Sequence, residues 1–198
     1  MRKVVDNHPP KGSKIKVDPI RNLDDLEKIK EVLTGKPRDL CLFVMGINNG
    51  LRISDLLSLK VRDVKRLKPG DSLEIRESKT GKTNVLMINK SSHKALKRYL
   101  ESSGTSEDEF LFRSYKTKKA LSKYAVNHLI KKWCRLIGLE GNYGAHSLRK
   151  TFGYHQRTRF GVGFDILTRR FNHSCPSITR RYLGIEDKEV NRILLNEI

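Results

Sequence analysis

Apolar and polar positions alternate along most of the chain with the three- to four-residue spacing of amphipathic helices. The clearest pattern runs over residues 122–137, which end before Gly138, a typical helix stop. Its apolar face comprises Ala125, Val126, Leu129, Ile130, Trp133 and Ile137. Caps and spacing predict further helices after Asn22, from Pro37 to the Asn48-Asn49-Gly50 turn, after a Ser54 cap, and over 92–102, 146–159, 165–171, 176–183 and 187–196.

One region has the two-residue period of strands instead. Residues 72–77 and 83–88 flank a Lys79-Thr80-Gly81-Lys82 turn, a pattern that predicts a β-hairpin. The predicted fold class is therefore mainly α with a small antiparallel β-sheet (α+β).

The pattern also divides the chain into three parts. Residues 1–20, with three prolines, predict a basic, flexible arm, and residues 21–183 predict one folded domain. Residues 184–198 predict a short acidic helix with one apolar face, formed by Ile185, Val190, Ile193, Leu194 and Ile198. Two alternatives stay open for that helix: it folds back on its own core, or it docks on a second copy to form a dimer or tetramer.

Composition adds a strong charge to this picture. The 198 residues include 41 Lys and Arg against 22 Asp and Glu, a net charge of +19, which favours a polyanionic partner, above all nucleic acid. The longest apolar stretch, residues 40–47, is too short to cross a bilayer, and the N-terminus has no apolar signal region. Three scattered cysteines give no disulfide framework. We expect a cytoplasmic protein with no membrane partner.

The positive charge is concentrated in the second half of the chain. Residues 113–139 contain no acidic side chain, and basic residues continue beyond them. Such a block is either a phosphate-facing surface or an ordinary solvated face. We predict DNA contacts for eight of its side chains: Arg113, Lys116, Lys118, Lys119, Lys123, Lys131, Lys132 and Lys150.

Several familiar motifs fail on inspection. Gly81-Lys82-Thr83 resembles the end of a phosphate-binding loop, but Arg76 stands where the first glycine is needed. The six histidines lack metal-site spacing, and no cysteine pair accompanies them. We predict no metal and no cofactor.

Another set of residues is more informative. His146 and Arg149 share one face at a predicted helix start, where backbone N–H groups favour a phosphate. Arg52 follows the Asn-Asn-Gly turn, and Lys79 lies in the hairpin turn, while His173 and Tyr182 bracket a helix nine residues apart. Structural alternatives remain for three of them: an ion pair of Arg52 with Asp55, helix capping by His146, and a core position for Tyr182.

Together these motifs resemble the tyrosine recombinase, or phage integrase, family. Residues 50–59 are similar to its first-arginine box with Asp55 three positions on, and residues 78–82 are similar to its hairpin lysine motif. His146-Ser147-Leu148-Arg149 matches its His-x-x-Arg, and Asn172-His173 with Thr179 and Tyr182 matches its second histidine and nucleophile. The resemblance implies a tyrosine recombinase catalytic domain.

The resemblance implies a role for each residue. Tyr182 would attack a DNA phosphodiester to form a 3'-phosphotyrosyl bond, without metal or ATP. Arg52 and Arg149 would hold the nonbridging oxygens, and Lys79 would protonate the leaving 5'-oxygen. His146 would act as acid/base or hydrogen-bond donor, His173 would donate to the phosphate, and Asp55 would support this set.

Two features depart from the family pattern. Asn172 stands where a glycine is usual, and asparagine tolerates the left-handed backbone that such a glycine could adopt. Few residues precede the predicted domain, whereas recombining members commonly carry a core-binding domain there. A one-domain member, a truncated chain and partial substitution by the basic arm are the open alternatives.

The implied function is a site-specific DNA recombinase acting on double-stranded DNA. Two alternatives use the same fold: a noncatalytic DNA-binding regulator, and a type IB topoisomerase-like enzyme that relaxes DNA. An RNA-binding protein would account for the charge but not for the ordered motifs.

Overall fold

The computed structural model describes residues 17–185, 195 and 197. Helices and one hairpin follow the predicted order, so the predicted fold class is confirmed. The elements are α1 (Leu23–Val32), α2 (Pro37–Asn49), α3 (Ile53–Leu57), α4 (Val61–Val64), β1 (Ser72–Arg76), β2 (Thr83–Met87), α5 (Lys90–Ser103), α6 (Lys123–Leu136), α7 (Ala145–Phe160), α8 (Phe164–Arg170) and α9 (Pro176–Leu183). The predicted helix over 187–196 and most of the predicted arm lie outside the described residues.

Local chemistry explains where the helices begin. The side chains of Asn22, Asn89 and Ser122 accept hydrogen bonds from the first turns of α1, α5 and α6. Two details differ from the sequence prediction: Ser54 lies inside α3 with Arg52 at the cap position, and α4 was not predicted. A four-residue helix is too short to show a periodic pattern, which explains why α4 could not be predicted.

The predicted hairpin is confirmed as an antiparallel pair of strands. Ser72 pairs with Met87 and Arg76 with Thr83, and the Glu77 amide donates to the Lys82 carbonyl across the turn (2.9 Å). Because side chains alternate across a strand, β2 turns Asn84 and Leu86 toward the domain. The turn that carries Lys79 is thus fixed at its base.

The larger apolar core is built around α2. Phe43 is fully buried and meets Trp133 of α6 edge to face, with ring centroids 6.0 Å apart. Gly46 lets α2 approach α7, because a Cβ there would lie 2.5 Å from the Leu148 side chain. This close packing places Arg149, the next residue of α7, beside the end of α2.

A second, smaller apolar cluster is formed by the ends of α8 and α9. Within the described part of the chain its buried members are Leu167, Phe171, Leu183 and Ile185. Phe152, Tyr154, Val162, Phe164 and Tyr182 pack against it and are partly buried. The molecule therefore has two apolar clusters, and α7 contributes residues to both.

The end of the predicted N-terminal arm packs on α7. Ile20 is fully buried, its amide donates to Thr151 Oγ1 (2.8 Å), and its carbonyl accepts from His155 Nε2 (3.0 Å). The packed part of the chain therefore begins before residue 21. Among the helices that the structure describes, none combines the length and apolar character needed to cross a membrane.

Candidate active site

Arg149 connects the two apolar clusters. Its side chain is 3% exposed, and it donates to the carbonyls of Gly50 (2.7 Å) and Phe171 (2.7 Å). The first carbonyl ends α2 and the second ends α8, and the guanidinium also lies 4.6 Å from the Phe171 ring centroid. Burial and neighbouring cations lower the pKa of Arg149 to about 10, so the group stays cationic at neutral pH.

The start of α7 is held by a side chain of α6. Asn127 Oδ1 accepts from the Ala145 amide (3.0 Å), and a Cβ at Gly144 would lie 2.1 Å from that oxygen, so a larger residue there would displace the Asn127 side chain from this hydrogen bond. His146 is in the first turn and is exposed, so it is not the cap. Its pKa is lowered by desolvation and then by the charges of Arg149 and Lys79.

Arg52 pairs with a carboxylate that the sequence did not single out. Its guanidinium forms an ion pair with Glu77, at the end of β1, and not with Asp55. Glu77 is 1% exposed and also accepts from Thr80 Oγ1 (2.5 Å) and Asn84 Nδ2 (2.7 Å). Burial alone would raise the pKa of Glu77, but these donors outweigh it and hold the pKa at about 2.

Asp55 supports the hairpin turn. Its Oδ1 accepts from the amide (2.9 Å) and the hydroxyl (2.9 Å) of Ser78, the residue before Lys79. Asp55 is buried, whereas Lys79 is exposed at the tip of the turn. These hydrogen bonds attach the Lys79 turn to α3.

A chain of hydroxyl groups fixes the state of His173. Thr168 Oγ1 donates to the Phe164 carbonyl (2.6 Å), so it must accept from Thr179 Oγ1 (2.8 Å) because it has one proton to give. Thr179 in turn must accept from His173 Nδ1 (2.9 Å). The neutral ring therefore carries its proton on Nδ1 and leaves Nε2 as an acceptor.

The charge state of that ring follows from its surroundings. Desolvation, followed by the charges of Arg149 and Arg52, lowers the pKa of His173 to about 4. The ring is therefore neutral at pH 7 in the unliganded site.

Tyr182 lies beside the cationic side chains of Arg149 and Arg52. Its ring packs edge to face against Phe171 and His173, with centroids 5.7 and 5.3 Å away. Its hydroxyl is buried and has no hydrogen bond of good geometry within the described residues. Desolvation raises the pKa of Tyr182 to about 12, although the nearby Arg149 and Arg52 act in the opposite direction. The half-buried ring is therefore packed, but its hydroxyl faces the arginines and not the core.

Asn172 adopts the left-handed backbone that asparagine tolerates. Its φ is +51°, in the left-handed region, and its Nδ2 donates to the Thr83 carbonyl of β2 (3.3 Å). The replacement of the usual glycine thus preserves the turn before His173 and adds a link to the hairpin.

The candidate residues come together from distant parts of the chain. Arg149 and Arg52 both act electrostatically on His173 and Tyr182, and Lys79 acts on His146. Sequence reasoning missed Glu77, Asn84, Thr168 and Arg170, which hold these side chains. Glu77 is buried and Arg170 is half-buried, although both are charged. The sequence pattern does not show which residues pair with them.

The predicted DNA-binding residues fall into three groups. Arg113 forms an ion pair with Glu109 (2.7 Å). Lys150 is 5% exposed, and its Nζ lies 5.2 Å from the Tyr182 ring centroid, so Lys150 does not belong to an outer surface. The exposed members are Lys116, Lys118, Lys119, Lys123, Lys131 and Lys132. Lys123 also lowers the pKa of His146, so this exposed group, the lysine surface, begins next to the site.

No group of three His, Cys, Asp or Glu side chains suited to a metal ion occurs in the described ranges.

A family model and similar sequences both relate this chain to integrases and tyrosine recombinases. The model of the phage integrase family matches residues 22–189. The Bacillus subtilis protein named "Probable integrase/recombinase YoeC" is 42% identical over 176 residues, which cover 86% of this chain and 91% of that protein. The tyrosine recombinase XerC of Caldanaerobacter subterraneus is 29% identical, covering 85% of this chain and 48% of its own length.

Solved structures share the fold at low sequence identity. A XerA recombinase has a TM-score of 0.72 and 19% identity, covering 93% of this chain and 65% of that one. A XerH recombinase in a post-cleavage complex with difH has a TM-score of 0.73 and 21% identity, covering 92% and 53%. The chain thus spans most of YoeC but only about half of XerC and XerH.

Proposed function

The chain belongs to the phage integrase family, and from that premise we propose that it is a site-specific recombinase that cuts and rejoins double-stranded DNA through a 3'-phosphotyrosyl intermediate. The proposal rests on one observation above all: the buried Tyr182 hydroxyl lies beside Arg149 and Arg52. A phosphodiester drawn to the two guanidinium groups would bring its phosphorus to that hydroxyl. A core tyrosine would have no need of two cations.

The chemistry conserves bond energy. Tyr182 Oη attacks phosphorus, the bond from phosphorus to the 5'-oxygen breaks, and a tyrosine phosphodiester forms with a free 5'-hydroxyl. Lys79 gives a proton to the departing 5'-oxygen, while the tyrosine proton leaves to a base, for which His146 is the candidate. Since a 5'-hydroxyl can reverse the step, the proposed reaction needs no ATP, and the charges of Arg52 and Arg149 would take the place of metal ions at the phosphate.

The arginines supply the charge compensation. Arg149 donates two hydrogen bonds to backbone carbonyls and keeps its remaining N–H groups for the phosphate, and the same holds for Arg52 beyond its pair with Glu77. Donors fixed in advance need no reorganisation as charge develops in the transition state.

His173 requires one additional step in this scheme. Its neutral form has an acceptor at Nε2, so donation to a phosphate oxygen requires a second proton. The negative charge of a bound phosphodiester favours the imidazolium and supplies the reason for that protonation.

The lysine surface would hold the DNA backbone around the site. Each exposed lysine that neutralises a phosphate contributes close to one unit to the slope of log affinity against log salt. Replacing Lys116, Lys118 and Lys119 by glutamine should lower that slope by about 2 to 3 for a plasmid fragment. The control replaces Lys90, Lys94 and Lys97 of α5, which removes the same charge; equal slopes for both triple variants would count against the assignment.

The catalytic proposal is tested by trapping the adduct. A pool of nicked duplexes with randomised core sequence and a label at the 5' end of the cleaved strand is incubated with the protein and chelator, then separated under denaturing conditions. We expect a protein–DNA adduct with wild type, none with Tyr182→Phe, and unchanged adduct with Tyr124→Phe, an exposed tyrosine on α6. Absence of adduct from wild type, with DNA binding retained, would leave a noncatalytic DNA-binding regulator.

Assembly and the extent of the reaction are further parts of the proposal. Strand exchange joins two duplexes, so the proposal includes assembly as a dimer or tetramer on DNA, for which residues 184–198 are the proposed contact. A supercoiled plasmid separates the outcomes: recombinant products support the recombinase, and relaxation alone indicates topoisomerase-like activity.

A further inference from the structure

Glu77 is a carboxylate in an unusual place. It directly follows β1, has 1% of its surface exposed, and lies under the hairpin turn that carries Lys79. Burying a carboxylate is costly unless it is paired and hydrogen-bonded. Arg52, Thr80 and Asn84 all satisfy it, and the ion pair with Arg52 supplies the only formal positive charge among these three partners.

The partners of Glu77 connect it to the opposite side of the site. Asn84 donates to Glu77 and accepts from Arg170 Nη1 (2.8 Å), whose Nε donates to the Asn49 carbonyl (3.1 Å). Asn49 ends α2, and Arg170 ends α8, three residues before His173. The Glu77 carboxylate is therefore held from several elements and has little freedom to move.

A fixed carboxylate restricts Arg52 in turn. The Arg52 side chain is 15% exposed, and an arginine without such a partner would sample several rotamers at the rim of the site. With one end of its planar guanidinium on Glu77, the remaining N–H groups point in a defined direction.

We propose that Glu77 is a positioning residue that holds Arg52 in the orientation needed to bind the scissile phosphate. The proposal rests on the recombinase function proposed above. Glu77 would act through Arg52 and would not touch the DNA.

The test compares Glu77→Gln with Glu74→Gln. Both residues lie on the same strand or at its end and lose one negative charge, but Glu74 is exposed. Adduct formation is measured under single turnover at saturating protein, together with the affinity for the same labelled duplex. For Glu77→Gln we expect a rate about 10- to 100-fold lower and an affinity within about threefold of wild type. Glu74→Gln should change neither by more than about threefold.

A double-mutant cycle separates positioning from a general structural role. If Glu77 acts through Arg52, Glu77→Gln should have almost no further effect on the rate in an Arg52→Ala background. The same fold-loss in both backgrounds would overturn the proposal, as would an unchanged or increased rate for Glu77→Gln alone. Wild type without any adduct would instead refute the proposed function, so the two failures are distinguishable.

A second measurement needs neither DNA nor activity. Denaturant unfolding of wild type, Arg52→Ala, Glu77→Gln and the double variant gives the coupling of the two side chains. Because Arg52→Ala leaves a buried carboxylate without its cation, the double variant should unfold with an equilibrium constant about tenfold smaller than the two single effects predict. Additive effects would show that Glu77 does not hold Arg52.

Discussion

The two apolar clusters of this protein carry different halves of the candidate site. The larger one, around α2, supports Arg52 and the hairpin with Lys79, whereas the smaller one, between α8 and α9, supports His173 and Tyr182. Arg149 joins them, with one hydrogen bond to each side. The cations proposed to bind phosphate thus belong mainly to the extensive core, and Tyr182, the proposed nucleophile, belongs to the smaller cluster.

The two clusters should differ in the free energy at which their elements open. Elements with many buried contacts open only at the free energy of global unfolding, while elements with fewer contacts open locally at lower cost. In the proposed mechanism, cations fixed on the larger core would keep a preorganised phosphate site, while the smaller cluster would give Tyr182 more freedom to adjust.

The largest effect should come from breaking the bridge between the clusters. Arg149→Lys keeps the charge but cannot donate to both carbonyls and to a phosphate with the same planar geometry. We expect single-turnover adduct formation to fall by about 100- to 1,000-fold, and stability by roughly 1–3 kcal/mol because a buried carbonyl loses its donor.

The matched control is Arg135→Lys, an exposed arginine of α6. It should leave both the rate of adduct formation and the unfolding midpoint close to wild type. An Arg149→Lys variant with more than about a third of the wild-type rate would contradict the bridging role.

A smaller effect on adduct formation should come from the packing beneath Tyr182. Leu183→Ala removes a fully buried side chain next to Tyr182 and should cost about 2–5 kcal/mol. We expect amide hydrogen exchange to accelerate selectively in α8 and α9, with adduct formation about tenfold slower because Tyr182 is less well held.

Leu42→Ala, at a fully buried position of α2, provides the comparison in the larger cluster. It should lower global stability by a similar amount while leaving the exchange of α8 and α9 no faster than that of α2. If both variants accelerate exchange uniformly, the two clusters unfold as one unit.

The smallest effect concerns the dependence of stability on pH. The folded state holds the pKa of His173 at about 4, below its ordinary value near 6.5. The unfolded chain therefore binds more protons between these values, so this contribution is present above pH 6.5 and is lost as the pH falls toward 4. After allowance for solvent screening of a half-buried ring, we expect about 1 kcal/mol.

Denaturant unfolding between pH 4 and 7 measures this contribution. The slope of stability against pH should be smaller for His173→Gln than for wild type, and His93→Gln reports the loss of an imidazole elsewhere. Identical slopes for wild type and His173→Gln would refute the environment assigned to His173.

Much of the site could be located from the sequence because its local geometry is set by local residues. The Asn-Asn-Gly turn places Arg52, the hairpin turn places Lys79, and the start of α7 presents His146 with Arg149 on one face. The left-handed backbone of Asn172 is one that its residue type tolerates. The predicted roles of these residues stay predictions until the adduct experiment is done.

Other features depended on contacts between distant segments. The alternative pairing of Arg52 with Asp55 was wrong, because Glu77, 25 positions away in the chain, occupies the guanidinium. Lys150 was grouped with the DNA-binding lysines by its position in a basic stretch, but α7 turns it inward toward Tyr182. Helical rotation and packing decide such placements, and a charge count does not contain them.

The sequence by itself determined the mainly helical fold class, the hairpin, the order of the motif residues and the strong positive charge, since periodicity, turn chemistry and composition are local or additive properties. Only the tertiary structure decided which partner each charged group has: Arg149 bridges two clusters, Glu77 holds Arg52, and a hydroxyl chain sets the proton of His173. Ion pairs and buried hydrogen bonds join residues far apart in the chain, and their partners become defined only when the core packs.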